Sequence, residues 1–180
     1  AKASAARDED FIEYVHQANM HSTMMFFTEQ GRLYWTKVYE LPEGNRQSKG
    51  RALQNMINIQ KGDKVCAFIH VKNLSDMEYV QNHYLIFATK DGLMKKTTLE
   101  SYSRPRANGI IALGLREGDR LIRVTLTDGN SQMLVASYNG KIVRFPEDTV
   151  RPMGRTATGV RAIKLDEDGQ DRVIGMICVE

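Results

Sequence analysis

The stretch Tyr84-Leu85-Ile86-Phe87-Ala88-Thr89-Lys90-Asp91-Gly92-Leu93-Met94-Lys95 decides how this chain is read. An apolar run, a polar pair ending in Gly and a second apolar run follow one another, and Asp91-Gly92 tolerates the positive φ angles of a tight hairpin turn. The same order occurs upstream in Met24-Met25-Phe26-Phe27-Thr28-Glu29-Gln30-Gly31-Arg32-Leu33-Tyr34-Trp35. It occurs again downstream in Gln132-Met133-Leu134-Val135-Ala136-Ser137-Tyr138-Asn139-Gly140-Lys141-Ile142-Val143. The turn glycines Gly31, Gly92 and Gly140 stand 61 and 48 residues apart, which predicts a repeated β unit.

The likeness extends past each hairpin. A polar loop with basic residues follows, then a Gly (Gly50, Gly109, Gly159) and a short apolar strand at Ala52-Leu53, at Ile110 to Leu113 and at Val160 to Ile163. An acidic turn comes next (Gly62-Asp63, Gly118-Asp119, Asp168 to Asp171), then a final strand at Val65 to Val71, Leu121 to Leu126 and Val173 to Val179. Each unit therefore reads as four strands. Asp10-Phe11-Ile12-Glu13-Tyr14-Val15 has the pattern of a final strand with no three before it, so the chain is expected to begin in mid-repeat. The expected divisions are 1–19 (last strand of a preceding, incomplete blade), 20–72 (a blade), 73–127 (an inter-blade insertion and a blade) and 128–180 (a blade). The insertion, Asn73 to His83, reads as a loop or a short helix. Four-stranded units at this period predict an all-β, propeller-like array in which stacking supplies much of the burial, because isolated hairpins are marginal. A β-sandwich with coincidentally similar hairpins is the alternative.

Composition narrows the function classes. Of 180 residues, 42% are hydrophobic and 26% charged, as in an ordinary globular protein. No run approaches the roughly 18 apolar residues of a membrane span, and Ala1 to Asp10 lacks an apolar signal core, so a soluble cytoplasmic protein is expected. Cys66 and Cys178 lie in apolar stretches and read as buried thiols. His16, His21, His70 and His83 have no ligand-like spacing, so no metal site is expected. Gly154 to Gly159 resembles a phosphate loop, but Val160-Arg161 follows where a Lys and a Ser or Thr are needed. Asp166, Glu167, Asp168 and Asp171 read as a solvated turn. No nucleophile, base and orienting group fall into a catalytic pattern, so an enzyme is not expected of this chain alone.

The cations follow the repeat. The net charge is only +3, but the loop between second and third strands carries Arg46, Lys49 and Arg51 in the first unit, Arg104 and Arg106 in the second, and Arg151, Arg155 and Arg161 in the third. The preceding strands add Lys37, Lys95 with Lys96, and Lys141 with Arg144. Equivalent loops lie on equivalent faces, so these thirteen residues are expected to line one basic rim. A rim without a base-reading helix suits phosphate contact of low sequence dependence.

These residues resemble a known family over essentially the whole chain: the C-terminal domain of bacterial DNA gyrase A. The likeness is carried by Glu9-Asp10-Phe11-Ile12 with Ala18-Asn19-Met20-His21, by Gly31-Arg32-Leu33-Tyr34 with Lys37-Val38-Tyr39-Glu40-Leu41-Pro42-Glu43, by Val150-Arg151-Pro152-Met153-Gly154-Arg155, and by Thr158-Gly159-Val160-Arg161. The resemblance implies a six-bladed β-pinwheel, a propeller relative whose basic outer edge wraps double-stranded DNA so that strand passage introduces negative supercoils. This chain is then a partial pinwheel, about three four-stranded blades plus one leading strand. The family's Gln-Arg-Arg-Gly-Gly-Lys-Gly box is absent, its nearest likeness being Asn45-Arg46-Gln47-Ser48-Lys49-Gly50. That absence keeps open the related C-terminal domain of topoisomerase IV. The implied partners are double-stranded DNA, the remainder of gyrase A, and gyrase B. ATP, magnesium and the catalytic tyrosine belong, by the same resemblance, to other parts of that type IIA topoisomerase, which leaves no cofactor in this chain. A protein-binding β-propeller is the rival from another class.

Overall fold

The computed structural model describes residues 20–40 and 57–180; the expected leading strand at Phe11 to Ala18 and the loop with Arg46, Lys49 and Arg51 fall outside them. Eleven strands of the described residues form three antiparallel sheets. The first sheet contains β1 (Thr23–Thr28), β2 (Arg32–Lys37) and β3 (Val65–Val71). The second contains β4 (Tyr84–Thr89), β5 (Leu93–Thr98) and β7 (Leu121–Thr127), and the third β8 (Gln132–Ser137), β9 (Ile142–Pro146) and β11 (Val173–Val179). Each hairpin turn closes alike, with the N–H of Gly31, Gly92 or Gly140 donating to the carbonyl of Thr28, Thr89 or Ser137. This aligns the three glycines and moves the first copy by one residue against the pairing in which Gly31 faces Asp91. The insertion is the short helix α1 (Met77–Asn82), capped by the Asp76 side chain on the Tyr79 N–H.

The short strands β6 (Ile110–Ile111) and β10 (Val160–Arg161) join sheets other than those of their own repeats. β6 lies in the second repeat but pairs with β2 of the first sheet, Leu33 opposite Ile110 and Arg32 opposite Ile111. β10 lies in the third repeat and pairs with β5 of the second sheet, Met94 opposite Val160 and Leu93 opposite Arg161. Each crossing is extended by one bond, Ala112 N–H to the Gly31 carbonyl at 2.7 Å and Ala162 N–H to the Gly92 carbonyl at 2.8 Å. The strand orders are therefore β3-β1-β2-β6, β7-β4-β5-β10 and β11-β8-β9. Within the described residues the repeat read from sequence gives the right strands, the expected strand at Ala52-Leu53 lying outside them, but the first two blades take their outer strand from the repeat that follows.

Stacking supplies the core. One apolar cluster joins Met25, Phe27 and Leu33 of the first sheet to Leu85, Phe87, Leu121 and Val124 of the second. Phe27 and Phe87 meet edge to face at 5.6 Å between ring centroids. A second cluster joins Ile86, Ala88 and Met94 to Met133, Val135, Val173 and Met176 of the third sheet. Successive residues of β1 and β4 point to opposite faces and both faces are covered, which is why Met24 to Phe27 and Leu85 to Phe87 form continuous apolar runs without alternation.

The acidic turns are structural as well as solvated. Asp63, Asp119 and Asp171 each accept from the backbone N–H of a hairpin-turn residue, namely Gln30, Asp91 and Asn139, at 3.0–3.1 Å. Each also accepts from the N–H of the following residue, Lys64, Arg120 or Arg172. One carboxylate per blade thus ties the last strand to the hairpin tip. In the third blade a further acid stands where the others carry an aliphatic residue. Glu147 donates its N–H to Ser131 as Val38 does to Ser22 and Leu99 to His83, and its buried carboxylate accepts from Gly129 N–H at 2.9 Å.

The crossings depend on glycine. Gly159 has φ +103°, and a Cβ there would lie 2.3 Å from the Met94 carbonyl oxygen. Gly140 has φ +91° with nothing within 4 Å of its Cβ position. Gly140→Ala is therefore expected to cost only the left-handed backbone, about 1–2 kcal/mol. Gly159→Ala adds a backbone collision, and overpacking of that kind costs a further 1–3 kcal/mol or so. Urea denaturation of the two variants measures the difference, and equal losses would show that the crossing is not tight.

Candidate nucleic-acid interface

The loops that carry the expected cations lead into the crossing strands. After β5 the chain makes a 3-10 turn (Leu99–Tyr102), runs through Arg104 and Arg106, and enters β6 at the edge of the first sheet. After β9 it makes a similar turn (Glu147–Thr149), passes Arg151 and Arg155, and enters β10 at the edge of the second. The two loops meet there. The Arg155 guanidinium donates to the Ile111 carbonyl, Gly114 N–H donates to the Ala157 carbonyl at 3.1 Å, and Met153 N–H donates to the Lys96 carbonyl at 2.7 Å.

Four of the thirteen expected residues are exposed there with side chains that have no hydrogen-bond or ion-pair partner among the described residues: Arg104, Arg106, Arg151 and Arg161. Arg155 is half-buried and committed to Ile111. Lys37 is half-buried at the end of β2. Lys141 is neutralised by Asp166, which also raises the lysine's pKa, and donates to the Lys164 carbonyl at 3.2 Å. Asp166 in turn is held below the usual carboxylate range by Lys141 and by Asn139.

Arg144 is exposed, but on a sheet face and not on a loop. It stands opposite Leu134, which stands opposite Ile177. By register it matches Trp35 and Lys96, which sit opposite Met25 and Ile86. Those two are turned toward the neighbouring blade, Trp35 donating its ring N–H to the Tyr102 carbonyl at 3.0 Å.

Lys95 and Lys96 are corrections to the expected rim, because both are drawn inside. Lys96 is 4% exposed, with its ammonium 4.4 Å from the Tyr84 ring centroid. Lys95 is 0% exposed and donates to the Tyr102 hydroxyl at 3.0 Å, to the Ala112 carbonyl at 2.6 Å and to the Arg155 carbonyl. Its ammonium also lies 4.7 Å from the Phe87 ring centroid. Tyr102 donates in turn to the Ala112 carbonyl at 2.7 Å. Burial first, and then the Arg155 charge, pull Lys95 from 10.5 to about 7, while burial raises Tyr102. A charged neighbour in sequence is a weak guide here, since a lysine on a stacked strand can be fixed inward by three oxygens.

What sequence reading missed was the Asp role. Its signal is present in Asp63-Lys64-Val65, Asp119-Arg120-Leu121 and Asp171-Arg172-Val173, an acid, a base and an apolar residue opening each final strand. The bases belong to a second set of cations at the hairpin ends. Lys64 and Arg120 are exposed, and Arg172 lies 4.1 Å over the Tyr138 ring centroid. Among the described residues no group of three or more His, Cys, Asp or Glu converges as metal ligands, and no helix is long and apolar enough to cross a membrane.

Stacked antiparallel sheets of three or four strands with basic crossing loops define a propeller-like β array. A family model described as the DNA gyrase C-terminal domain, beta-propeller, matches residues 22–72, 83–128 and 132–180, so the chain belongs to that family. It is 45% identical over 175 residues to the DNA gyrase A protein of Salmonella typhimurium, covering 97% of this chain and 19% of the relative. Against the DNA gyrase A protein of Staphylococcus aureus it is 41% identical over 169 residues, covering 94% and 18%. The chain thus spans about a fifth of the curated relatives it matches. Among solved structures, the C-terminal domain of DNA topoisomerase IV superposes with a TM-score of 0.77 at 26% identity, over 90% of this chain and 48% of that one. A DNA gyrase A C-terminal domain superposes at 0.71 with 20% identity, over 91% and 50%, which supports the fold.

The depressed Lys95 pKa has a consequence for stability. The folded value, about 7, lies below the unfolded one, so the unfolded chain binds more protons between them. Stability is expected to rise with pH from about 7 to 9.5, below the range where Tyr102 titrates, and to be lost as pH falls back toward 7. Chemical denaturation across that range checks this, and Lys95→Met should flatten the slope.

Proposed function

We propose that this chain binds double-stranded DNA without sequence specificity along the crossing-strand edge, as part of the wrapping surface of a bacterial DNA gyrase A. In that role it bends duplex DNA around its rim and supports negative supercoiling in the cytoplasm. Gyrase B, the rest of gyrase A, ATP and magnesium act elsewhere in the assembly, and no cofactor is assigned to these residues. The observation that carries the reading is the meeting of two consecutive basic loops at Arg155 and Ile111, with Arg104, Arg106, Arg151 and Arg161 exposed and unpaired among the described residues. Arginine without a carboxylate neighbour is free to fork onto phosphate, and loops without a recognition helix contact backbone more readily than base edges.

The likeness to a topoisomerase IV domain favours the sister enzyme as a second reading, with the same phosphate chemistry. Identities of 41–45% to gyrase A proteins favour gyrase.

Binding is expected to weaken with salt, with a slope of log K on log salt of about −0.9 per phosphate neutralised. Four free arginines set that slope at roughly −3 to −4. Arg104→Ala with Arg106→Ala should lower affinity for all duplexes alike and reduce the slope by about 1–2. Fluorescence anisotropy on duplexes of differing sequence measures both. Salt-independent wild-type binding, or a double variant as tight as wild type, would instead favour a protein-binding propeller.

A further inference from the structure

We infer that Lys95 is a positioning residue for the rim, a buried lysine nitrogen that holds the Arg151-to-Gly159 loop in place from beneath. The inference rests on the rim being the duplex contact, but its central observation does not. Lys95 reaches three separate segments at once: the 3-10 turn through the Tyr102 hydroxyl, the end of the β6 crossing through the Ala112 carbonyl, and the third-repeat loop through the Arg155 carbonyl. The Arg155 side chain then ties the same loop to β6 at Ile111. Backbone and side chain of one rim residue are thus fixed at two points, the first of them inside the protein.

The register explains why this position can do so. Tyr34, Lys95 and Val143 are equivalent, opposite Phe26, Phe87 and Val135, and all three point to the face away from the following blade. In the first blade Tyr34 is buried and its hydroxyl accepts from Arg32, whose guanidinium donates to the Asn108 carbonyl of the second-repeat loop at 3.1 Å. The first blade therefore also holds the next repeat's loop by its backbone, through a Tyr–Arg relay in place of a single lysine. The charged and titratable groups facing Lys95 are the Tyr102 hydroxyl from the 3-10 turn and the Arg155 guanidinium from the loop, while β4 contributes only the Phe87 ring.

Lifting the loop returns Lys95 to water, where it takes up a proton, so opening is favoured as pH falls toward 7 and closure as pH rises above it. Trypsin reports the opening, since Arg155–Thr156 is a cleavable bond in the loop whereas Arg151 is followed by Pro152. Cleavage at Arg155–Thr156 in the full chain, read by mass spectrometry and normalised to a free peptide of the same sequence, is expected to slow at least about tenfold from pH 7 to pH 9. Lys95→Met should cleave about tenfold faster than wild type at pH 9 and lose the pH dependence, as expected for loss of the amine's hydrogen bonds to buried oxygens. Its duplex affinity should fall several-fold with all exposed arginines present.

A wild-type cleavage rate independent of pH, or a Lys95→Met loop as resistant as wild type at pH 9, overturns the inference. The wild-type arm requires no substitution and so survives a variant that fails to fold. If wild type cleaves as expected but binds no duplex, the DNA reading fails and the loop-holding role of Lys95 stands.

Discussion

Everything in this molecule depends on pairings two residues long. β6 and β10 contribute only Ile110–Ile111 and Val160–Arg161 to their host sheets, yet through them the first and second blades are each closed by the chain of the next repeat. The host strand must present its backbone bare, and the incoming chain must approach within reach of it. Glycine makes that approach possible, since a side chain at Gly109 would meet the Leu33 carbonyl at 2.7 Å and one at Gly159 the Met94 carbonyl at 2.3 Å. The basic loop ahead of each crossing leads to the edge of the host sheet.

The same constraint divides the charges into two populations. Of the loop arginines that arrive before a crossing, Arg104, Arg106 and Arg151 stay in solvent, whereas a base on the strand beneath it is enclosed by the neighbouring segments. Lys95 and Arg104 therefore differ in environment far more than their separation in the chain suggests. Burying an ammonium is costly unless oxygens replace its water, and Tyr102, Ala112 and Arg155 supply them. On the acidic side, Asp63, Asp119 and Asp171 accept from backbone N–H groups of the hairpin tips and so tie in the last strand of each blade.

Much of this is legible in the chain alone. Apolar runs broken by Asp91-Gly92 and Asn139-Gly140 mark hairpins because the local chain determines that geometry. The short strands after Gly109 and Gly159 are legible as strands for the same reason. Their partners are not, since strand pairing across repeats is non-local, and nothing in Gly109-Ile110-Ile111-Ala112 says which hairpin it will flank. The recurrence of arginine that the proposed rim rests on is visible in the chain, but the inward turn of Lys95 and Lys96 is hidden. Strand periodicity assigns a residue to a face, and on a sheet covered on both faces neither side is solvent. The Asp brace is within reach, because an acid one residue before a base recurs at all three final strands, but without the hairpin tip beside it the pattern looks like ordinary turn polarity.

The handed-on strand also separates the unit of inheritance from the unit of architecture. A duplicated or lost repeat would not add or remove a sheet cleanly; it would give an existing sheet a different outer strand. Each crossing segment must therefore be interchangeable with every other, whichever host it meets. Gly109-Ile110-Ile111-Ala112 and Gly159-Val160-Arg161-Ala162 show what such a standard part contains: a glycine for the close approach, two residues to pair, and an alanine whose N–H reaches the host's turn glycine. The residues between crossings are free to vary in length, as the α1 insertion does, while the joint itself keeps one gauge.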